Sequence, residues 1–161
     1  MKINFNEILK MIISIIICQL AGVIGSVFTS PAIPSWYVTL SKPSFTPPNW
    51  VFAPVWTSLY LLMGISAFLV WRRGIDNPQV NLALRFFIIQ LVLNSFWSVL
   101  FFGLRSPLLG FVEIILLWFF ILLTIINFFK VLNTAGILLL PYILWVSFAA
   151  VLNFSLWRLN S

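Results

Sequence analysis

Apolar residues run through this chain in five long blocks separated by short polar punctuation. The blocks are Ile8–Thr29, Trp50–Trp71, Leu82–Phe102, Pro107–Phe129 and Ala135–Trp157. Each holds roughly 21–23 residues, enough at 1.5 Å per residue to cross a hydrocarbon layer of about 30 Å. Backbone groups inside such a layer find no water, so each block is expected to be a helix. Ile8–Thr29 is longer than the apolar region of a usual signal peptide and reads as a first span.

The punctuation refines these limits. Thr46-Pro47, Asn77-Pro78 and Ser106-Pro107 each place a capping side chain before a proline. A proline in the first turn has no N–H to leave unpaired, so these pairs read as helix starts. With them the helices are expected near 8–29, 47–71, 80–102, 107–129 and 135–157, forming one domain over 1–161. Pro54 and Pro141 fall inside helices two and five and should bend them. The loops are short except Ser30 to Thr46, and a long biased loop is more often functional than a short one. No heptad array or internal repeat is evident. Five spans cannot divide into two equal inverted halves, which disfavours the common carrier design.

Composition agrees. The chain is 62% hydrophobic and 7% charged, more apolar surface than one soluble core of 161 residues hides. An all-α integral membrane bundle follows, with the lipid bilayer as its first partner. The net charge of +6 comes from a few cations near the ends of the apolar blocks, a membrane-anchoring pattern, and no nucleic-acid partner is expected. One cysteine and no histidine are present, with Asp and Glu totalling three. No disulfide framework and no protein metal site are expected, and no cofactor is required.

Charge also orients the spans. One end collects Lys2, Lys10, Arg72, Arg73, Arg85 and Lys130, and the other Lys42, Arg105 and Arg158. The positive-inside bias predicts a multi-pass protein with its N-terminus inside and the long loop and C-terminus outside. A C-terminal reporter active only in the cytoplasm would overturn this.

Depth along the spans locates the polar side chains. Counted from the outer helix ends, Asn153 lies about 6 Å in, Trp97 about 8 Å, Trp56 and Glu113 about 9 Å, Asn94 about 12 Å and Trp145 about 18 Å. Most therefore share the membrane half next to the long loop, which suggests a pocket there with the loop as lid. Simpler roles compete. Trp50 and Trp71 suit an interfacial belt. Gln90 and Asn94, four apart on one face, suit interhelical hydrogen bonds, as does Asn153. Trp145 is helix packing or pocket wall. Glu113 is costly inside a membrane unless neutral or paired. It is either a partner of Arg105 or Arg158, or a ligand contact or proton site. Ala21/Gly25 and Gly22/Ser26 form small-residue ridges suited to close packing within the bundle.

The segment Trp36–Trp56, WYVTLSKPSFTPPNWVFAPVW, is unusually rich in Trp and Pro. Trp36-Tyr37, Leu40, Lys42-Pro43, Pro47-Pro48, Trp50, Pro54 and Trp56 resemble the loop and second-helix signature of the translocator protein family. That family is also called the tryptophan-rich sensory protein or peripheral-type benzodiazepine receptor family. Gln90, Asn94, Trp97 and Phe101-Phe102-Gly103 resemble its third helix. Pro141-Tyr142, Trp145, Phe148-Ala149, Leu152-Asn153 and Trp157-Arg158 resemble its fifth. The resemblance covers nearly the whole chain.

It implies a five-helix bundle, often a homodimer, in a bacterial membrane. It also implies a tetrapyrrole ligand such as protoporphyrin IX, with benzodiazepine-site drugs and cholesterol in some members. The implied ligand-binding residues are Ser26, Thr29, Phe52, Ala53, Trp56, Asn94, Trp97, Leu109, Val112, Glu113, Leu116, Trp145, Phe148, Ala149 and Leu152. Trp36, Lys42, Pro47 and Pro48 belong to the lid. Three departures from the pattern stand out. Phe154 stands where the cholesterol motif wants Tyr, so cholesterol binding is not expected. Ser95 and Ser98-Val99 replace an aromatic and paired prolines of animal members, which weighs against a dimer seam on helix three. Phe45 replaces a frequent Trp.

Three functions are open at this point. The leading one is a membrane receptor or sensor for porphyrin-type tetrapyrroles, since an aromatic site with few polar groups suits an apolar ligand. The second is light-dependent porphyrin degradation, for which the resemblance offers Trp56 and Trp145 as catalytic candidates. No acid–base pair or nucleophile array supports an enzyme independently. The third is a porphyrin or sterol transporter.

Overall fold

The computed structural model describes residues 5–161, so the expected inside cation Lys2 lies outside the described residues. Among these residues there is no strand, and five helical stretches are long and apolar enough to cross a membrane. The helices are α1 Phe5–Ser35, α2 Asn49–Trp71, α3 Pro78–Ser98, α4 Pro107–Val131, α5 Asn133–Leu138 and α6 Leu140–Leu159. The fifth span is α5 and α6 together.

Side-chain contacts fix the two ends of the bundle. At one, Arg72 Nη2 donates to Glu7 Oε1 at 2.8 Å, and Lys10 lies 5.6 Å from the Trp71 ring centre. The start of α1 therefore meets the end of α2. At the other, Trp36 packs against Phe101 and Phe102, and Ser41 bonds Asn160. Close approach of α1 and α2 needs Gly64, where a Cβ would stand 2.6 Å from the Ile15 Cα. The turn into α3 needs Gly74, whose φ of 97° suits a residue without a side chain.

Two of the three expected cap-and-proline starts form. The Asn77 side chain accepts from the Gln79 N–H at 2.9 Å, and the Ser106 hydroxyl from the Leu109 N–H at 3.3 Å. Thr46-Pro47 does not start α2. The Thr46 hydroxyl donates to the Pro43 carbonyl at 2.8 Å, closing a turn, and the helix begins at Asn49 after Pro48.

Three further boundaries depart from expectation. α1 continues past Thr29 through Pro31 and Pro34 to Ser35. Each proline removes one intrahelical bond, yet the helix continues across this stretch with Ala32 buried in a cluster with Tyr37, Phe101 and Phe102. The connection to α2 is correspondingly shorter and contains a 3-10 turn at Tyr37–Thr39. α3 gives way to a π-helical turn at Val99–Gly103, where the Leu104 N–H reaches back to the Val99 carbonyl at 2.8 Å. The wider turn lets adjacent residues, Phe101 and Phe102, both be buried. Pro141 does more than bend the last span. The helix breaks at Leu139, and Pro141 sits in the first turn of a new one.

The half of the bundle away from the loop is closely packed. Met63, Val70, Ala83, Ile121, Phe128 and Ala135 are fully buried. The Phe87 and Phe128 rings stack at 5.7 Å, and the Ser66 hydroxyl donates to the Ala135 carbonyl at 2.7 Å.

Candidate functional site

A cavity of about 380 Å³ occupies the loop-side half of the bundle. α1 contributes small and polar residues, including Gly22, Gly25, Ser26 and Thr29. α2 contributes Phe52, Ala53, Trp56 and Tyr60, and α3 Asn94 and Trp97. α6 closes the far wall with Trp145, Ala149, Leu152 and Asn153, while α4 reaches it through Ile114 and Leu117. The aromatic wall is self-supporting. Trp56 stacks on Tyr60 at 5.5 Å and meets Tyr142 edge-on at 6.3 Å, and Phe52 meets Trp145 edge-on at 6.0 Å.

Small residues on α1 let the neighbouring helices approach closely. A Cβ on Gly22 would lie 2.5 Å from the Tyr60 ring, and one on Gly25 would lie 2.8 Å from the Ser98 hydroxyl. The ridge read as a packing surface thus packs within the chain and also lines the cavity.

Polar groups cluster at the cavity floor. The Tyr60 hydroxyl donates to Asn94 Oδ1. Asn94 Nδ2 donates to the Tyr142 hydroxyl at 2.9 Å, which in turn donates to Gln90 Oε1 at 2.9 Å. Four side chains from α2, α3 and α6 are tied together where hydrogen bonds meet little competition. The interhelical role expected for Gln90 and Asn94 is therefore met, with Asn94 also facing the cavity. Higher up, Asn153 Oδ1 accepts from Trp97 Nε1 at 3.3 Å, and Asn153 Nδ2 donates to the Ala149 carbonyl at 2.9 Å. Trp145 Nε1 is buried and has no partner among the described residues, although the indole is part of the cavity wall.

The cavity brings together Ser26, Thr29, Phe52, Ala53, Trp56, Asn94, Trp97, Trp145, Ala149 and Leu152. Leu109, Val112 and Leu116 lie outside it, exposed on the far face of α4. Phe148 stands behind Trp145 at 5.5 Å and touches Phe45 of the loop at 6.3 Å. Glu113 is buried but is not a lining residue, and its oxygens bond neither Arg105 nor Arg158 nor any other group among the described residues. The reason is rotation. Successive helical residues point about 100° apart, so the inward face of α4 carries Ile114 and Leu117 while Leu109, Val112 and Leu116 turn away.

Of the expected lid residues, Trp36 and Lys42 do not line the cavity but brace the loop residue that does. Trp36 packs on Phe101 at 5.5 Å, and Lys42 Nζ stands 4.7 Å from the Tyr37 ring centre. Tyr37 lines the cavity, and burial pushes its phenol above its ordinary pKa, so it stays neutral. Pro47 and Pro48 lead into α2 and are not lining residues. Asn160 clasps the loop: its Oδ1 accepts from the Ser41 N–H and its Nδ2 donates to the Ser41 carbonyl, both at 2.9 Å. The sequence reading missed this clasp, along with Tyr60 and Tyr142 as floor residues. Both tyrosines were within reach, since they stand one helical turn from Trp56 and Trp145.

On one side the wall is incomplete. Val23 and Ser26 of α1 and Ala53 and Thr57 of α2 line the cavity and are also exposed. A seam between these helices thus opens toward the surface that faces lipid. One bond crosses it, from Gln19 Nε2 to the Thr57 carbonyl at 3.1 Å.

Comparisons with known proteins bear on the whole chain. The family model described as the TspO/MBR family matches residues 14–158. A tryptophan-rich protein TspO of Chlorobaculum tepidum is 46% identical over 155 residues, covering 96% of this chain and 98% of the relative. One of Archaeoglobus fulgidus is 45% identical over 155 residues, covering 96% and 99%. The human translocator protein is 36% identical over 138 residues, covering 85% and 82%.

Proposed function

The chain belongs to the TspO/MBR family of multi-pass membrane proteins, and we propose that its cavity is a receptor site for porphyrin-type tetrapyrroles. One observation carries the reading. Three indoles, Trp56, Trp97 and Trp145, surround a single cavity whose polar groups gather at the floor and upper wall. A flat, largely apolar ring with a few polar substituents suits such a site, because most of its surface meets aromatic carbon and its heteroatoms meet oriented donors. Trp145 Nε1 is a donor with no internal partner. The loop, held by Asn160, covers the ligand on the side taken here as outside, with the N-terminus inside.

Protoporphyrin IX titrated in detergent should quench tryptophan fluorescence saturably. A Trp56→Phe/Trp145→Phe variant should lose most of that quenching and bind about tenfold more weakly, since two stacking partners of roughly 0.5–1.5 kcal/mol each are reduced. Non-saturable quenching, or unchanged affinity in the variant, rejects the reading. Running the titration in light and in darkness separates binding from turnover. Pigment lost only in light, and only with both tryptophans present, would identify the degrading activity instead.

A further inference from the structure

We propose that a second site, on the outer face of α1 beside the π-helical turn, holds an anionic phospholipid. A groove of about 250 Å³ lies there, distinct from the central cavity, with Val27, Phe28 and Pro31 along its length and Ser35 and Arg105 at its loop-side end. From Val27 to Ser35 the helix rises about 12 Å. The groove thus runs from the apolar layer to headgroup level, apolar at one end and cationic at the other.

Arg105 is the cation of that end with no anionic or ring partner among the described residues. Its side chain is exposed and makes no hydrogen bond or ion pair among the described residues. The other cations of that end are engaged: Lys42 with Tyr37 and the Val38 and Leu40 carbonyls, and Arg158 with the Trp157 ring. The acidic side chains are elsewhere. Glu7 pairs with Arg72 at the opposite end, Asp76 follows α2 at that same end, and Glu113 is buried. Arg105 also holds a φ of 53°, a conformation that favours glycine. A long cationic side chain at such a position gains nothing for the backbone. A lipid phosphate at Arg105 with an acyl chain along Val27 and Pro31 satisfies both ends of the groove, and a free anion would satisfy only one.

The test is native mass spectrometry of the detergent-solubilised full chain, titrated with dioleoyl-phosphatidylglycerol or dioleoyl-phosphatidylcholine. An Arg73→Gln/Arg85→Gln/Lys130→Gln background removes three of the six cations at the opposite end. The first phosphatidylglycerol should bind in preference to phosphatidylcholine. Arg105→Gly relieves the backbone while removing the charge, so it should fold normally and weaken that binding about fivefold. Arg105→Lys should retain most of it, and Val27→Trp, which fills the groove, should weaken it while porphyrin quenching is unaltered. Equal affinity for the two lipids, or unchanged phosphatidylglycerol binding in Arg105→Gly or in Val27→Trp, would overturn the site. Displacement of the lipid by equimolar inorganic phosphate would overturn the lipid in favour of a free-anion site.

Discussion

The two halves of this bundle are built from the same five spans and differ in what fills the space between them. Away from the loop, Met63, Val70, Ile121 and Phe128 are fully buried and the helices meet through apolar side chains. Next to the loop, the same helices stand around a cavity of about 380 Å³ edged by indoles and amides. The difference comes from side-chain choice at matching heights. Glycines 22 and 25 let Tyr60 and Ser98 come into the space a Cβ would need, so the hollow lies beyond these contacts, among the indoles and amides. The packed half supplies the rigidity that lets the other half remain hollow, since a void forfeits the contacts its lining would otherwise make.

Truncation should expose this contrast most strongly. Phe128→Ala in the packed half should cost about 3–5 kcal/mol, whereas Phe52→Ala, at the edge of an existing cavity, should cost roughly half as much. Equilibrium unfolding in detergent measures both. Equal losses would mean that the loop-side half is as tightly filled as its opposite. The floor between the halves is the next place to break. Tyr142→Phe removes the hydroxyl that joins Asn94 to Gln90. It should cost about 1–2 kcal/mol, with the loss read in the same unfolding experiment and a Tyr60→Phe/Tyr142→Phe pair deviating from additivity. Additive losses would show that the four side chains do not act as one network. The smallest effect on stability belongs to the cover. Asn160→Ala deletes the clasp on Ser41 and should change unfolding by no more than about 1 kcal/mol. Ligand release, followed by stopped-flow fluorescence, should nonetheless become faster. An unchanged release rate would show that the loop does not govern exchange.

The number of membrane-crossing stretches was legible because hydropathy over about 20 residues is a strong signal. The end of α1 was not. The first apolar block was ended at Thr29, ahead of Pro31 and Pro34, whereas the helix runs on to Ser35 with Ala32 buried against Tyr37, Phe101 and Phe102. The break at Leu139 was hidden for the opposite reason, since Pro141 inside an apolar run looks like a bend until the Leu139 N–H is seen to turn back to the Gly136 carbonyl at 3.1 Å. In the site, depth singled out Trp56, Asn94, Trp97 and Trp145, and all four line one cavity. Depth carries no rotation, however. Glu113 and Ile114 differ by one residue, yet Ile114 faces the cavity and Glu113 is buried beside it. Asn160 left no mark in the sequence, because its partner is the backbone of Ser41, more than a hundred residues away.

On the function proposed above, the seam between α1 and α2 would set the reservoir from which the cavity fills. An apolar molecule dissolves in a bilayer far more readily than in water, so the concentration facing Val23, Ser26, Ala53 and Thr57 is the mole fraction in the acyl layer. Occupancy then follows the ratio of ligand to lipid. Diluting a proteoliposome suspension with buffer would leave it nearly unchanged, and adding empty vesicles would lower it.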